Sequence, residues 1–157
     1  KKNFETYIAN DNSEGQIVIS GKIKDLEKMG HFLNNINIRY IKLPVSAPFH
    51  CNLMFKATEI ISGELKKINF KQSDNVLISN VTASEIKDIV NLKRLLTEQI
   101  EKRVRWRESV IKMINKNVNQ FIEIGPGKVL TGLIKRIDKN VKTCSINDIS
   151  DIKSLKI

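Results

Sequence analysis

Cysteine, proline, tryptophan and long apolar runs are all scarce in this sequence. The two cysteines, Cys51 and Cys144, cannot build a disulfide framework or a zinc site with four ligands. No apolar run approaches the roughly 20 residues that a membrane-spanning helix needs, and the first segment, KKNFETYIAN, has no apolar core of a secretory signal. The chain also begins with Lys rather than Met. We therefore expect it to be a piece of a longer protein.

Length and composition indicate a folded globular chain. It has 157 residues, of which 41% are hydrophobic and 28% are charged, and this balance differs from that of disordered proteins. A chain of about 150 residues hides roughly two thirds of the surface that it exposes when unfolded. A stable core therefore requires no covalent crosslinks.

The net charge of +10 first suggests nucleic acid as a partner. However, 21 of the 27 basic residues are Lys, and Glu and Asp lie between them along the chain. Residues that read phosphates or bases are more often Arg, with aromatic residues interleaved. We interpret most of the charge as solvated surface. The alternative is a basic patch for an acidic protein or a phosphate-bearing ligand.

The first part of the chain has short alternating segments around one helix. Residues 4–9 and 16–20 alternate like strands, and the residues between them, NDNSEG, form a turn cluster. An apolar stripe predicts a helix over 22–34, and residues 37–43 alternate again. The resulting order of strand, strand, helix and strand indicates a ferredoxin-like unit without its first strand and helix.

The remainder of the chain has longer elements, which begin after Pro44. A largely parallel sheet covered on both faces is the expected arrangement, because strands alternate with helices here. The patterns predict helices over 52–68, 88–101, 106–116 and 127–137, and strands over 76–80, 120–125 and 142–146.

His50 is the most informative residue for chemistry. It follows the segment VSAPF and precedes a predicted helix for which Asn52 is a plausible cap. Backbone N–H groups and the positive end of the helix favour the neutral imidazole, which is the form that a general base requires. The alternative is a buried, hydrogen-bonded histidine without a catalytic role. The other histidine, His31, lies within the helix 22–34, and we interpret it as structural or exposed.

Three other features are weaker candidates. The segment 125–128, GPGK, lacks the spacing and the Ser or Thr of a phosphate-binding loop; a tight turn is favoured, with an anion site at the helix N-terminus as the alternative. Cys51 should point away from His50, and Trp106 is expected to anchor the core rather than stack on a nucleobase. No G-x-S-x-G nucleophile motif occurs. The chain thus offers a candidate base without a nucleophile.

Four blocks of sequence resemble a known family. They are NDNSEGQIVISG (10–21), LPVSAPFHCNLM (43–54), LLTEQIEKRVRWRESV (95–110) and FIEIGPGKVLTGLIKRI (121–137). In this order and spacing they resemble the C-terminal half of bacterial malonyl-CoA:acyl carrier protein transacylases, which are relatives of the acyltransferase domains of polyketide and fatty acid synthases.

The resemblance implies an α/β fold with two subdomains and an active site between them. Residues 1–43 would form an incomplete ferredoxin-like small subdomain, and residues 44–157 the C-terminal part of an α/β-hydrolase-like large subdomain. In this family, the serine nucleophile in a G-H-S-x-G motif, the arginine that pairs with the malonyl carboxylate and the glutamine of the oxyanion hole lie upstream of these blocks. None of the three is present in this chain.

The resemblance also assigns roles to residues of this chain. His50 would be the catalytic base, and the backbone carbonyl of Gln99 would fix its tautomer. Asn12 would line the pocket and Phe49 would act against branched acyl units, so both are candidate substrate-binding residues. Arg103 stands where the family often has Pro, and the turn before Trp106 is expected to be altered.

The implied reaction is malonyl transfer from malonyl-CoA to the phosphopantetheine thiol of acyl carrier protein in type II fatty acid synthesis. The expected partners are coenzyme A, acyl carrier protein and the missing N-terminal half, in the cytoplasm. No cofactor, metal, nucleic acid or membrane is expected. Two alternatives remain open: a polyketide-type acyltransferase with another acyl unit, and a non-catalytic remnant that binds acyl carrier protein.

Overall fold

A computed structural model describes residues 4–154 of the chain, with four strands and six α-helices. The strands are β1 (Thr6–Ser13), β2 (Gln16–Gly21), β3 (Gln120–Ile124) and β4 (Lys142–Ile146). The helices are α1 (Ile23–Asn35), α2 (Phe55–Lys67), α3 (Ile89–Glu98), α4 (Trp106–Asn115), α5 (Val129–Ile137) and α6 (Ile149–Ser154). None of these helices is both long enough and apolar enough to cross a bilayer.

Strands β1 and β2 form an antiparallel hairpin. The turn predicted over 10–15 shrinks to two residues, Glu14 and Gly15, because Gly15 adopts a φ of 72° that other residues rarely reach. As a result β1 is longer than the predicted strand 4–9. Its register shifts twice, between Ile8 and Asn10 and between Asp11 and Ser13.

Helix α1 agrees with the predicted helix 22–34 to within one residue at each end, but the strand predicted over 37–43 is wrong. A strand requires a partner for its backbone groups, and within residues 4–154 no strand pairs with this segment. Instead the Tyr40 ring lies against Gly30 of α1, where a β-carbon would come within 2.7 Å of its hydroxyl. The alternation marked an extended segment and not a sheet member.

Strands β3 and β4 pair in parallel and are joined through α5. Both lie where the sequence predicts them. Val110, Ile134 and Val141 form the buried core beside them, and Trp106 and Phe121 pack against it. The expected anchoring role of Trp106 in the core is therefore confirmed. The expected parallel sheet covered on both faces is formed only in part: the described residues contribute two parallel strands here, with α5 against one face.

The strand predicted over 76–80 is also wrong. The Ser79 hydroxyl accepts hydrogen bonds from the backbone N–H groups of Val81 and Thr82, and the Ser79 N–H donates to the Ser84 carbonyl. This tight loop takes up the hydrogen-bonding groups that a strand would offer to a neighbour. Only a single bridge, between Ile78 and Glu85, remains.

Several helix boundaries differ from the predicted ones. A 3₁₀ turn, Asn52–Met54, precedes α2, and Asn52 makes no side-chain cap. Helix α3 is shorter than the predicted 88–101 and begins after Asp88, whose carboxylate accepts the Asn91 N–H at 2.7 Å. Helix α6 was not expected.

Candidate active site

His50 ends the extended segment that leads to the 3₁₀ turn. Its φ is 61°, in the left-handed region that few residues with a β-carbon adopt, although histidine is enriched there. The backbone N–H of His50 donates to the Ile100 carbonyl at 3.1 Å. A contact across the fold therefore holds the unusual backbone in place.

The imidazole is held by the neighbouring carbonyl. Nδ1 of His50 lies 2.8 Å from the backbone oxygen of Gln99. A carbonyl oxygen only accepts, so Nδ1 must carry the hydrogen in this contact. The neutral ring then keeps its lone pair on Nε2, for which residues 4–154 provide no hydrogen-bond partner. The ring is oriented and its second nitrogen is available.

Residues 99–105, which we call the carbonyl turn, connect this histidine to the β1 strand. The Val104 N–H donates to the Ala9 carbonyl at 2.8 Å, and the Val104 carbonyl accepts the Asp11 N–H at 3.0 Å. These two bonds fix the turn to the sheet. The position of His50 is therefore set relative to β1 as well as to α3.

Two arginines and one carboxylate brace the end of the carbonyl turn. Glu108 pairs with Arg105 and lies 3.1 Å from an Arg103 nitrogen. The hydrogen bond from Arg105 holds the pKa of Glu108 below its usual value, and the same bond raises the pKa of Arg105. Arg105 also donates its backbone N–H to the Asn80 carbonyl at 2.8 Å. Arg103 thus joins an ion-pair cluster.

An open groove of about 330 Å³ contains His50. This volume is at the lower end of small-molecule pockets, which start at about 300 Å³. The groove is lined by Tyr7, Ile8, His50, Asn52, Glu101, Lys102 and Arg103. Arg103 is paired with Glu108, so Glu101 and Lys102 are the remaining charged residues of the lining.

Comparison with known proteins identifies relatives over nearly the whole chain, although no family model matches it. The malonyl CoA-acyl carrier protein transacylase of Bacillus subtilis is 42% identical over 142 residues, which are 90% of this chain and 45% of that protein. A crystal structure of the transacylase from Clostridium perfringens is 42% identical, with a TM-score of 0.89 over 95% of this chain and 47% of that one. Over the half that it spans, the chain belongs to the malonyl-CoA:acyl carrier protein transacylase family. The resemblance inferred from the four sequence blocks is confirmed.

The chain spans about half the length of the curated transacylases that it matches. A solved complex joins a malonyl-transacylase to a type II polyketide acyl carrier protein, and this chain again spans about half of the chain that it matches there. That transacylase is 32% identical, with a TM-score of 0.89, and the match covers 95% of this chain and 48% of that one.

The structure brings together two of the four residues that the transacylase resemblance assigns. His50 and Gln99 are in direct contact. Asn12 is half-buried in β1, and Phe49 is 45% exposed beside His50; neither lines the groove. Tyr7 and Ile8 line it instead. Strand alternation could not predict this, because it does not say which face of a strand meets a distant residue.

Cys51 is separated from the candidate base despite its adjacent position in the chain. Its side chain is buried, and its thiol donates to the Pro48 carbonyl at 3.1 Å. This agrees with the expectation that Cys51 points elsewhere.

The GPGK segment is a tight turn between β3 and α5. Gly125 and Gly127 have φ values of 140° and 93°, which residues with side chains rarely adopt. The Gly127 N–H donates to the side-chain oxygen of Asn147 at 2.6 Å. The turn is therefore held by contacts within the chain.

A carboxylate of the protein occupies the N-terminus of α5. Glu123 accepts the N–H groups of Leu130 and Thr131 at 3.0 and 2.7 Å. Burial would raise the pKa of Glu123, but the hydrogen bonds from Thr131 and Leu130 outweigh it and leave the pKa below its usual value. Because these N–H groups donate to Glu123, they are not available to a phosphate. This favours the tight turn over the anion site.

Proposed function

We propose that this chain carries the general base of a malonyl-CoA:acyl carrier protein transacylase, and that the base is His50. The contact between Nδ1 and the Gln99 carbonyl is the observation that supports this role. It presents the neutral tautomer with Nε2 as the proton acceptor, as the orienting partner does in other nucleophile–histidine pairs.

In this mechanism Nε2 takes the proton of a serine hydroxyl as its oxygen attacks the thioester of malonyl-CoA. The imidazolium returns the proton to the departing coenzyme A thiol. Nε2 then takes the proton of the phosphopantetheine thiol, which attacks the acyl-serine, and the proton passes to the serine oxygen. The chain has no G-x-S-x-G motif, so we assign the serine to the portion of the family that this chain does not span.

The groove supports an active site between two subdomains. Tyr7 comes from the proposed small subdomain, 1–43, while His50 and Arg103 come from the proposed large subdomain, 44–157. Coenzyme A and acyl carrier protein are acidic, and the net charge of +10 on the chain would attract both. We assign Phe49, beside His50, to acyl selectivity, and Asn12 to the wall of the complete pocket.

The test is malonyl transfer by the chain assembled with the portion of the Bacillus subtilis transacylase that it does not match. In this assembly His50→Ala should slow transfer by roughly 10²–10⁴-fold, the usual contribution of a positioned base. His31→Ala is the matched control, because His31 is exposed on α1, and should leave the rate unchanged. Full turnover by a folded His50→Ala assembly would show that His50 is not the base.

The chain alone should form no acyl-enzyme, because it lacks the nucleophile. Labelled malonyl-CoA followed by intact-mass spectrometry checks this. A stoichiometric acyl adduct on the isolated chain would contradict the assignment of the serine to another portion.

A polyketide carrier protein is the second candidate acceptor, because one solved relative is bound to such a protein. Comparing kcat/KM for fatty acid and polyketide carrier proteins in the same assembly distinguishes the two. We expect the fatty acid carrier to be preferred.

A further inference from the structure

The loop 79–84 contacts both ends of the carbonyl turn. The Asn80 carbonyl accepts the backbone N–H of Arg105 at 2.8 Å, and the Asn80 side-chain amide donates to the side-chain oxygen of Gln99 at 3.4 Å. Gln99 and Arg105 are the first and last residues of the turn. The loop therefore spans the segment whose first carbonyl contacts His50.

The loop itself is tightly held. Ser79 is buried, and its hydroxyl accepts the N–H groups of Val81 and Thr82. The backbone N–H of Ala83 donates to the Ser79 carbonyl at 2.9 Å, and Ala83 is itself buried with a φ of 50°. A residue with a β-carbon keeps such a φ only where its surroundings fix it. The loop is therefore a firm support for the carbonyl turn.

The Arg105 side chain joins the end of the carbonyl turn to this loop. Its Nη1 donates to the Thr82 carbonyl at 3.3 Å, while its Nε donates to one carboxylate oxygen of Glu108 at 2.9 Å and its Nη2 donates to the other. The rigid fork of a guanidinium can serve both acceptors at once, which the point charge of a lysine cannot do. One side chain thus links the turn, the loop and helix α4.

We propose that Arg105 is a positioning residue for His50. By tying the end of the carbonyl turn to the loop 79–84 and to Glu108, it keeps the Gln99 carbonyl against Nδ1. The effect on malonyl transfer rests on the proposed function, whereas the effect on the tautomer of the His50 ring does not depend on turnover.

The loss of the Arg105 side chain should act on the imidazole through the carbonyl turn. The turn would keep its bonds to β1 at Val104, but its link through the guanidinium to the Thr82 carbonyl would be gone. The Gln99 carbonyl is then free to shift relative to the ring. Because the hydrogen bond at one ring nitrogen decides which nitrogen carries the hydrogen, His50 should no longer be restricted to one tautomer.

A purely structural role for Arg105 is the alternative. Glu108 lies in the first turn of α4, where a carboxylate stabilises the helix N-terminus, so the ion pair could support α4 without affecting His50. The two roles differ in what they change. A structural role alters thermal stability alone, whereas a positioning role alters the tautomer of the ring and the rate of transfer.

The experiment uses the chain assembled with the portion of the Bacillus subtilis transacylase that it does not match. Nuclear magnetic resonance of isotope-labelled histidine rings reports which nitrogen carries the hydrogen, and the signals of His50 and His31 are assigned by their loss on replacement with Ala. Unchanged His50 should carry its hydrogen on Nδ1 when the ring is neutral. Arg105→Gln, which leaves Glu108 paired with Arg103, should give a mixture of tautomers at His50 and no change at His31.

Malonyl transfer by the same assembly gives the second readout. Arg105→Gln should lower kcat by about tenfold, because the base is displaced, while KM for malonyl-CoA should stay within about twofold. Arg94→Gln is the matched control, because both hydrogen-bond partners of Arg94, Glu98 and Asn91, lie on its own helix α3. This variant should change neither the tautomer nor kcat.

Arg105→Lys is the milder variant, to be used if Arg105→Gln does not fold. A lysine keeps a charge beside Glu108 but cannot also reach the Thr82 carbonyl, so it should give the same mixture of tautomers with a smaller fall in kcat. An unchanged tautomer in a folded Arg105 variant, a larger effect on KM than on kcat, the same changes in Arg94→Gln, or failure of both Arg105 variants to fold would each overturn the proposal.

Failure of the proposed function would be recognised separately. Full turnover by His50→Ala would show that His50 is not the base, while a mixture of tautomers in Arg105→Gln would still show that Arg105 positions the ring. Loss of transfer in His50→Ala together with an unchanged tautomer in Arg105→Gln would leave the base in place and refute the positioning role.

Discussion

Two turns in this chain lead into helices, and they differ in which polar groups the fold leaves available. At the first, His50 has a positive φ, and its ring is held through one nitrogen while the other has no partner in the described chain. At the second, Gly125 and Gly127 supply the positive φ, and Glu123 occupies the helix N-terminus. The first turn therefore leaves a positioned side-chain nitrogen without a partner, whereas the second turn uses its backbone donors within the fold.

The largest expected effect comes from displacing the carbonyl turn. Ile100→Pro restricts the backbone of Gln99, which is helical with φ −63° and ψ −16°, and should move the carbonyl that holds Nδ1. We expect malonyl transfer by the complementing assembly to fall by about 100-fold or more, with some loss of thermal stability. Ile100→Val keeps both carbonyls and is the control. Unchanged transfer by the proline variant would mean that the carbonyl contact is not needed.

At the second turn, Gly127→Ala tests backbone strain without a clash, since no atom lies within 4 Å of a β-carbon there. The φ of 93° should make the substitution cost about 1–3 kcal/mol of unfolding free energy. Gly63→Ala within α2 is the control and should stabilise the chain by about 0.5–1 kcal/mol. Urea unfolding of both variants measures the difference. Equal effects would contradict the role of Gly127.

Glu123→Gln should remove the charged cap of α5 and cost about 1 kcal/mol at neutral pH. Because the pKa of Glu123 is lowered by folding, its stabilisation is present above the unfolded value of about 4.3 and is lost as pH falls through the folded pKa. Wild type and variant should therefore differ at pH 7 and converge once the pH has fallen below the folded pKa of Glu123. Chemical unfolding at several pH values measures this. Exposed Glu59, changed to Gln, is the control, and a pH-independent difference would contradict the cap.

The smallest effect is expected for the Gln99 side chain. Its amide oxygen only meets the Asn80 amide at 3.4 Å, whereas its backbone oxygen contacts His50. Gln99→Ala should therefore lower transfer less than about tenfold. If it were as damaging as His50→Ala while the fold stayed intact, the amide itself would take part in the chemistry.

Local sequence patterns were enough to predict several elements of this protein. The stripe of α1, the short strand β4 and the start of α4 at Trp106 could be predicted because their patterns fit one element type. The four sequence blocks also determined the family. The roles of His50 and Gln99 stay predictions until the assembly is assayed.

Contacts between distant segments settled which extended segments became strands and which polar groups kept no partner. Segments 37–43 and 76–80 have strand-like patterns, but a strand forms only where another strand accepts its hydrogen bonds. The N-terminus of α5 is capped by Glu123 of β3, and the groove is lined by Tyr7 of β1 together with Arg103. These are contacts between residues distant in the chain or carried by different elements, and periodicity along one segment contains no information about them.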